Sequence, residues 1–237
     1  MHESPRSGIL SVVNMNRMSY AVFILLCLAA FAGGYWWTNR ASAMHDLDRP
    51  FTPREDLPQS IQDEARAKVA SATAELKNQP DLISRWLQLA VYRKGANDFA
   101  GAEEIWLYVT KQWPEDAVAY GNLADLYQSS LNDYPKAEEY WKKTIALRPS
   151  DSDAYRNLAD LYRLKLSTPE KATELLLRGV AANPDRIDLL LPLARIEAEM
   201  GDTAAARGHY ETAITLAEEQ NNVSLFAALK KEMQELR

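Results

Sequence analysis

The chain has 237 residues, of which 47% are hydrophobic and 25% charged, a composition typical of globular proteins and long enough for one large domain or two small ones. Its formal net charge of −6 argues against nucleic acid as a partner, because nucleic-acid-binding surfaces need clustered positive charge. Because Cys27 is the one cysteine, the chain can form neither an intramolecular disulfide nor a thiolate metal cluster.

The first apolar segment carries no formal charge from Met18 to Asn39 and predicts a transmembrane helix. Residues 18–37 would form a helix about 30 Å long, which matches the thickness of a bilayer core. Aromatic residues at 35–37 stand where an interfacial aromatic belt would lie. We therefore expect residues 18–37 to be a membrane anchor.

Two other interpretations of this segment remain open. A cleaved signal peptide would use the small residues at 41–43, but Trp36 and Arg40 would then fall in the normally small, uncharged region before the cut. A lipoprotein signal would use Cys27, but Leu26 precedes it where a small residue is required. We favour the uncleaved anchor.

The segments on either side of the anchor differ in character. Residues 1–17 form an N-terminal tail, in which Met15 is an alternative start, as is Met18 within the anchor. Residues 38–59 are polar and contain three prolines, which predicts a flexible linker. Lysine and arginine counts do not decide the orientation. We expect the repeat region on the exported side, periplasmic or extracellular, because an internal short tail is the commoner arrangement of such anchors.

Residues 60–237 predict an array of helical repeats. Prolines recur at intervals of 34, 35 and 35 residues, at Pro80, Pro114, Pro149 and Pro184. A buried-type alanine precedes the last three by twelve residues, at Ala102, Ala137 and Ala172. A large apolar residue, followed three positions later by Leu-Ala, opens the units at Trp86, Tyr120, Tyr155 and Leu190. A fixed interval of this length predicts stacked units, each a pair of antiparallel helices.

This pattern resembles the tetratricopeptide repeat. The resemblance covers four units, at about residues 83–116, 117–151, 152–186 and 187–220, with capping helices at 61–78 and 223–237. It implies an all-α protein whose repeats form a right-handed superhelix, an α-solenoid, behind one transmembrane helix. The second and third units have one extra residue, which we assign to the turn between their helices. Arg93 and Glu197 stand where those units carry tyrosine.

The resemblance implies that the first helices of the units form a concave groove for a partner. The candidate groove residues are Asn122, Asp125, Gln128, Arg156, Asn157, Asp160, Arg163 and Arg195. Asn122 and Asn157 occupy equivalent positions, and their amides could pair with an extended peptide backbone. Asp125 and Asp160 could pair with basic residues of a peptide, or the arginines of the groove could pair with them internally; the sequence leaves both interpretations open.

The sequence contains no motif for catalysis. It has no phosphate-binding loop, no nucleophile motif and no metal-ligand spacing, so we predict a protein that is not an enzyme and needs no cofactor. His209 is predicted to be a solvated helix residue. The leading hypothesis is a membrane-anchored scaffold that binds a protein or peptide client and assists envelope protein assembly or translocation. The alternative is a structural subunit or homo-oligomer without an exchangeable client.

The anchor prediction can be tested by membrane extraction. In a Gram-negative host, the full chain should stay in the membrane pellet after alkaline carbonate, because about twenty apolar residues insert stably. A variant lacking residues 18–37 should move to the supernatant. Protease added to intact spheroplasts should digest the repeat region. Release of the full chain by carbonate would contradict the anchor, and protection from protease would contradict the exported orientation.

Overall fold

The computed structural model describes residues 51, 53 and 57–236. The predicted tail (1–17), the anchor (18–37) and most of the linker (38–59) lie outside this part of the chain. Within the described residues the fold is all-α, with ten α-helices, two π-helical segments and no strand. None of these helices is both long and apolar enough to span a membrane.

The helices follow one another in pairs joined by short turns, and each helix packs against the next one along the chain. The helices are α1 (Gln59–Asn78), α2 (Ile83–Gly95), α3 (Phe99–Gln112), α4 (Ala117–Asp125), α5 (Tyr134–Leu147), α6 (Ser152–Asp160), α7 (Pro169–Ala182), α8 (Ile187–Glu199), α9 (Thr203–Glu219) and α10 (Val223–Gln234). In the repeat units, α2, α4, α6 and α8 are the first helices, and α3, α5, α7 and α9 are the second helices.

The extra residue of the second and third units lies within a helix. Helix α4 continues into a π-helical segment at Leu126–Leu131, and α6 continues into another at Leu161–Lys165. The Leu166 N–H donates to the Leu161 carbonyl at 3.0 Å, five residues back. A π-helical turn takes one more residue than an α-helical turn, so it absorbs the insertion without breaking the helix. Our assignment of this residue to the turn is therefore wrong.

Two residues at equivalent positions form the turn between the two helices of each unit. The first has positive φ, which Asn and Gly adopt more readily than most residues: Asn97, Asn132, Ser167 and Gly201. In three of the four units the second is an aspartate whose carboxylate accepts a backbone N–H of the next helix: Asp98, Asp133 and Asp202. Such N-caps typically stabilise a helix by about 1 kcal/mol, and they set where each second helix begins.

The core of the array consists of the residues that recur with the repeat. Ala102, Ala137 and Ala172 are fully buried, which lets the paired helices approach closely. Trp106 and Trp141, one turn further along, are 0% and 5% exposed. Leu123 and Leu158 of the first helices are also fully buried. The recurring residues predicted to pack are thus buried, except Tyr120, which is half-buried.

Substitution of Trp106 by alanine tests this packing. Trp106→Ala should lower the free energy of unfolding by about 3–5 kcal/mol, because it opens a cavity at a fully buried site. The adjacent Leu107 is 38% exposed, so Leu107→Ala is a matched control that should cost less than about 1 kcal/mol. Denaturant unfolding of both variants measures the difference. Equal losses would contradict the register of α3.

Candidate functional site

The candidate site is the wall formed by the exposed side chains of α2, α4, α6 and α8, which we call the first-helix wall. Along most of this wall, ion pairs join one first helix to the next, and a further pair joins α8 to α10. They connect Lys94 to Asp125, Arg156 to Asp188 (3.6 Å), Arg163 to Glu199 (3.1 Å), and Arg195 to Glu232 of α10 (2.8 Å). The first three pairs bridge neighbouring units and the fourth joins the last unit to the capping helix, so these pairs follow the stacking direction of the repeats.

Every charged candidate of the wall has a partner within the chain. Asp125 accepts from Lys94 and from the Ser129 hydroxyl. Asp160 lies 4.0 Å from Arg163 in its own helical turn. Because these pairs are partly exposed, each contributes little to stability. Of the two interpretations that the sequence left open, the structure favours internal pairing.

Gln128 contacts the second helix of its own unit. The indole N–H of Trp141 in α5 donates to Gln128 Oε1 at 2.7 Å. Gln128 lies in the π-helical extension of α4, so this bond ties the widened turn to α5. The sequence did not reveal this bond, because it depends on the extra residue being inside the helix.

Asn122 and Asn157 differ from the other candidates. Both are half-buried, on α4 and α6 respectively. Within the described part of the chain neither side chain makes a hydrogen bond, and no ion pair joins α4 to α6. The centre of the first-helix wall therefore carries two amides, each with a donor and an acceptor, in the one interval between first helices that the charge pairs do not bridge.

The sequence identified a recurring position near the end of each first helix, but sequence reasoning missed the polar partners of its side chains. In the second and third units it is tyrosine, whose hydroxyl donates to a glutamate on the preceding second helix: Tyr127 to Glu103, and Tyr162 to Glu138 at 2.9 Å. Burial raises the pKa of both hydroxyls, and the neighbouring carboxylates raise it further. The signal was available, because a glutamate precedes each tyrosine by 24 residues.

The first and fourth units carry buried charges at this position. Arg93 pairs with Asp98 at 2.7 Å, and Gly101 leaves the room for them, since a Cβ there would lie 2.3 Å from Asp98 Oδ2. Glu197 contacts His209 Nδ1 at 2.7 Å. The prediction that His209 is a solvated residue is wrong, because it is half-buried against a buried carboxylate. Both units replace the tyrosine with a local pair, as burial of a charge requires.

The described residues include no group of three or more His, Cys, Asp or Glu side chains placed to hold a metal ion.

Comparison with known proteins supports the resemblance seen in the sequence. The sequence model of a tetratricopeptide repeat family matches residues 126–187, which include the π-helical segment after α4, the helix α5 and the whole third unit. No curated protein is detectably similar in sequence. The family match over residues 126–187 and the all-α fold of the described residues agree with the tetratricopeptide resemblance.

Solved structures share the fold at low sequence identity. The crystal structure of MamA aligns with a TM-score of 0.56 at 18% identity, over 69% of this chain and 95% of MamA. PilF of Pseudomonas aeruginosa aligns at 0.51 and 17% identity, over 73% and 92%. YrrB, described as a tetratricopeptide protein with an unusual peptide-binding site, aligns at 0.50 and 14% identity, over 71% and 93%. These likenesses establish the fold.

The different roles of the wall residues can be separated by stability measurements. Gln128→Ala should lower the free energy of unfolding by about 1–2 kcal/mol, because it leaves the Trp141 indole N–H without its partner. Asn157→Ala, with no hydrogen bond to lose, should change it by less than about 0.5 kcal/mol. Denaturant unfolding compares the two. A larger loss for Asn157→Ala would show that its amide has a structural role.

Proposed function

We propose that this protein is a non-catalytic scaffold that binds an extended segment of a protein partner across α4 and α6 of its first-helix wall. The observation that carries this proposal is the pair of amides at Asn122 and Asn157, which have no hydrogen bonds within the described chain. Tetratricopeptide proteins generally act as binding scaffolds, and YrrB is described as having a peptide-binding site. We extend peptide binding to this chain by analogy of fold.

The chemistry of two amides suits a peptide backbone. An extended chain rises about 3.3 Å per residue, so a bound segment of several residues can pass from one first helix to the next. Each amide can both donate to a carbonyl and accept from an N–H of the bound segment. Because of such contacts, binding depends on the direction and spacing of the bound backbone more than on the identity of its side chains.

Charge on the wall limits which segment fits best. The neighbouring charges at Asp125, Arg156 and Asp160 already have partners, so a charged segment would have to displace an existing pair. An uncharged stretch loses less when it binds here, because nothing charged is removed from water without a partner. We therefore propose that the residues of the partner nearest the two amides are uncharged.

The place of action is a second part of the proposal. An anchor at residues 18–37 would hold the scaffold at a membrane, with the repeats on the exported side. The uncharged sequence and its aromatic flank support the anchor, and the exported side is proposed because a short internal tail is the commoner arrangement of such anchors. A scaffold placed there would assist envelope protein assembly or translocation, by keeping a client segment extended close to the membrane.

Site-specific photocrosslinking tests the wall as a binding surface. A photoreactive phenylalanine analogue at Asn157 should crosslink to a partner in cells, whereas the same analogue at Thr212, exposed on α9, should not. Asn122→Ala should reduce the yield at Asn157 by roughly fivefold, as expected for loss of one backbone contact. Equal crosslinking from both sites would refute the proposal. Crosslinks to a second copy of the chain alone would favour the alternative of a structural homo-oligomer.

A further inference from the structure

A second candidate binding feature lies away from the first-helix wall. A cavity of 590 Å³ opens between α5 and α7, the second helices of the second and third units. Tyr155 and Tyr162 of α6 form part of its lining, and Ile145 and Leu175 form part of its apolar sides. None of the wall candidates lines it.

Comparison of the repeats explains why this seam, by which we mean the interface between the second helices of two adjacent units, is open. Leu175 in α7 corresponds to Tyr140 in α5 and to His209 in α9. The Tyr140 ring stacks on Tyr127, with centroids 5.5 Å apart and an interplanar angle of 3°. In the fourth unit His209 covers Glu197 at 2.7 Å. Both neighbouring seams thus have a planar side chain over the residue equivalent to Tyr162, where the cavity seam has only leucine.

The rim of the cavity is more basic than the equivalent surface of the two adjacent seams. Lys142, Lys171 and Arg178 line it beside Glu138 and Glu174, three cations against two carboxylates. Glu138 is already bound, since it accepts from Lys142 at 2.6 Å and from Tyr162. These bonds outweigh the effect of burial and hold the pKa of Glu138 below its ordinary value, so it stays ionised.

Two of the three cations at the rim, Lys171 and Arg178, are available to a ligand, because Lys142 already pairs with Glu138. Arg178 makes no ion pair within the described residues. Lys142 stands where the adjacent units carry the exposed Leu107 and Leu177. At the Lys142 position the rim therefore carries a positive charge that the neighbouring seams lack, whereas Lys136 and Lys143 occupy the positions of Lys171 and Arg178 in the preceding seam.

We propose that this cavity binds a protein segment in which an aromatic side chain lies next to acidic residues. The aromatic ring enters the space that Leu175 leaves open, as the ring of Tyr140 does in the adjacent seam. The carboxylates lie over Lys171 and Arg178, and Lys142 adds positive charge beside its existing pair with Glu138. This site is separate from the amides of the first-helix wall and does not depend on their function.

Defined peptides test the proposal on the full chain in detergent micelles. The probe is a fluorescein-labelled, end-blocked pentapeptide with phenylalanine at its centre and glutamate at the other positions. Fluorescence polarisation should show it binding at least about tenfold more tightly than peptides with central alanine or with lysine in place of glutamate, because ring burial and charge both contribute. Equal affinity for the alanine peptide would overturn the proposal.

Variants that fill the cavity locate the binding. Leu175→Tyr restores the side chain found in the adjacent unit and should weaken binding at least about tenfold. Leu177→Tyr, the same change at an exposed position of α7, should bind like the wild type. Ala146→Trp blocks the mouth from the exposed side of α5 and serves if Leu175→Tyr folds poorly. Wild-type binding by a folded Leu175→Tyr variant would refute the site.

Two further variants test how much charge contributes to binding and which of the two surfaces the peptide occupies. Arg178→Gln, which removes a cation without an ion pair, should weaken binding by roughly threefold or more, and the difference should shrink at high salt. Asn157→Ala should leave peptide affinity unchanged. If Asn157→Ala weakened binding and Leu175→Tyr did not, the peptide would occupy the first-helix wall, and the cavity proposal would fail while the wall remained a binding site.

Discussion

The structure depends on the close approach of paired helices at small, fully buried residues. Ala102, Ala137 and Ala172 allow each second helix to lie against its first helix, so that the large apolar residue one turn away is enclosed. One helix pair cannot bury its apolar residues alone, and stacking completes the core from the next pair. This requirement explains the fixed repeat interval in the sequence. The buried positions recur at that interval, whereas residues at other positions differ between the units.

Once the stacking is fixed, the units can differ at positions that face their neighbours. The clearest example is the position occupied by Arg93, Tyr127, Tyr162 and Glu197, four buried residues with four different partners. Tyrosine reaches a glutamate of the preceding unit, whereas Arg93 and Glu197 find partners within their own unit. Each seam between units therefore has different polar contacts on the same backbone fold. The open seam beside Tyr162 is one result of these differences.

The sequence predicted the helix pairs and the buried residues well, because both follow from local periodicity repeated several times. It misplaced the extra residue of the middle units, since a residue added in a turn and one added in a π-helical segment give the same spacing between prolines. It also left the pairing of wall charges open. Lys94 and Asp125 are 31 residues apart, and whether such side chains meet depends on how the units stack. The contact of His209 with Glu197 was missed because it depends on how the two helices of the fourth unit pack against each other.

Helix α6 contributes to both candidate binding surfaces. Asn157 stands on the first-helix wall, while Tyr155 and Tyr162 of the same helix and its π-helical extension line the cavity. Because the two sets point to different sides of one helix, a segment bound at either surface leaves the other accessible. Coupling between them would require α6 to shift relative to α5 and α7. The buried bond from Tyr162 to Glu138 opposes such a shift, since moving α6 would leave a buried hydroxyl without its partner. The two proposed binding surfaces are therefore independent of each other in this fold.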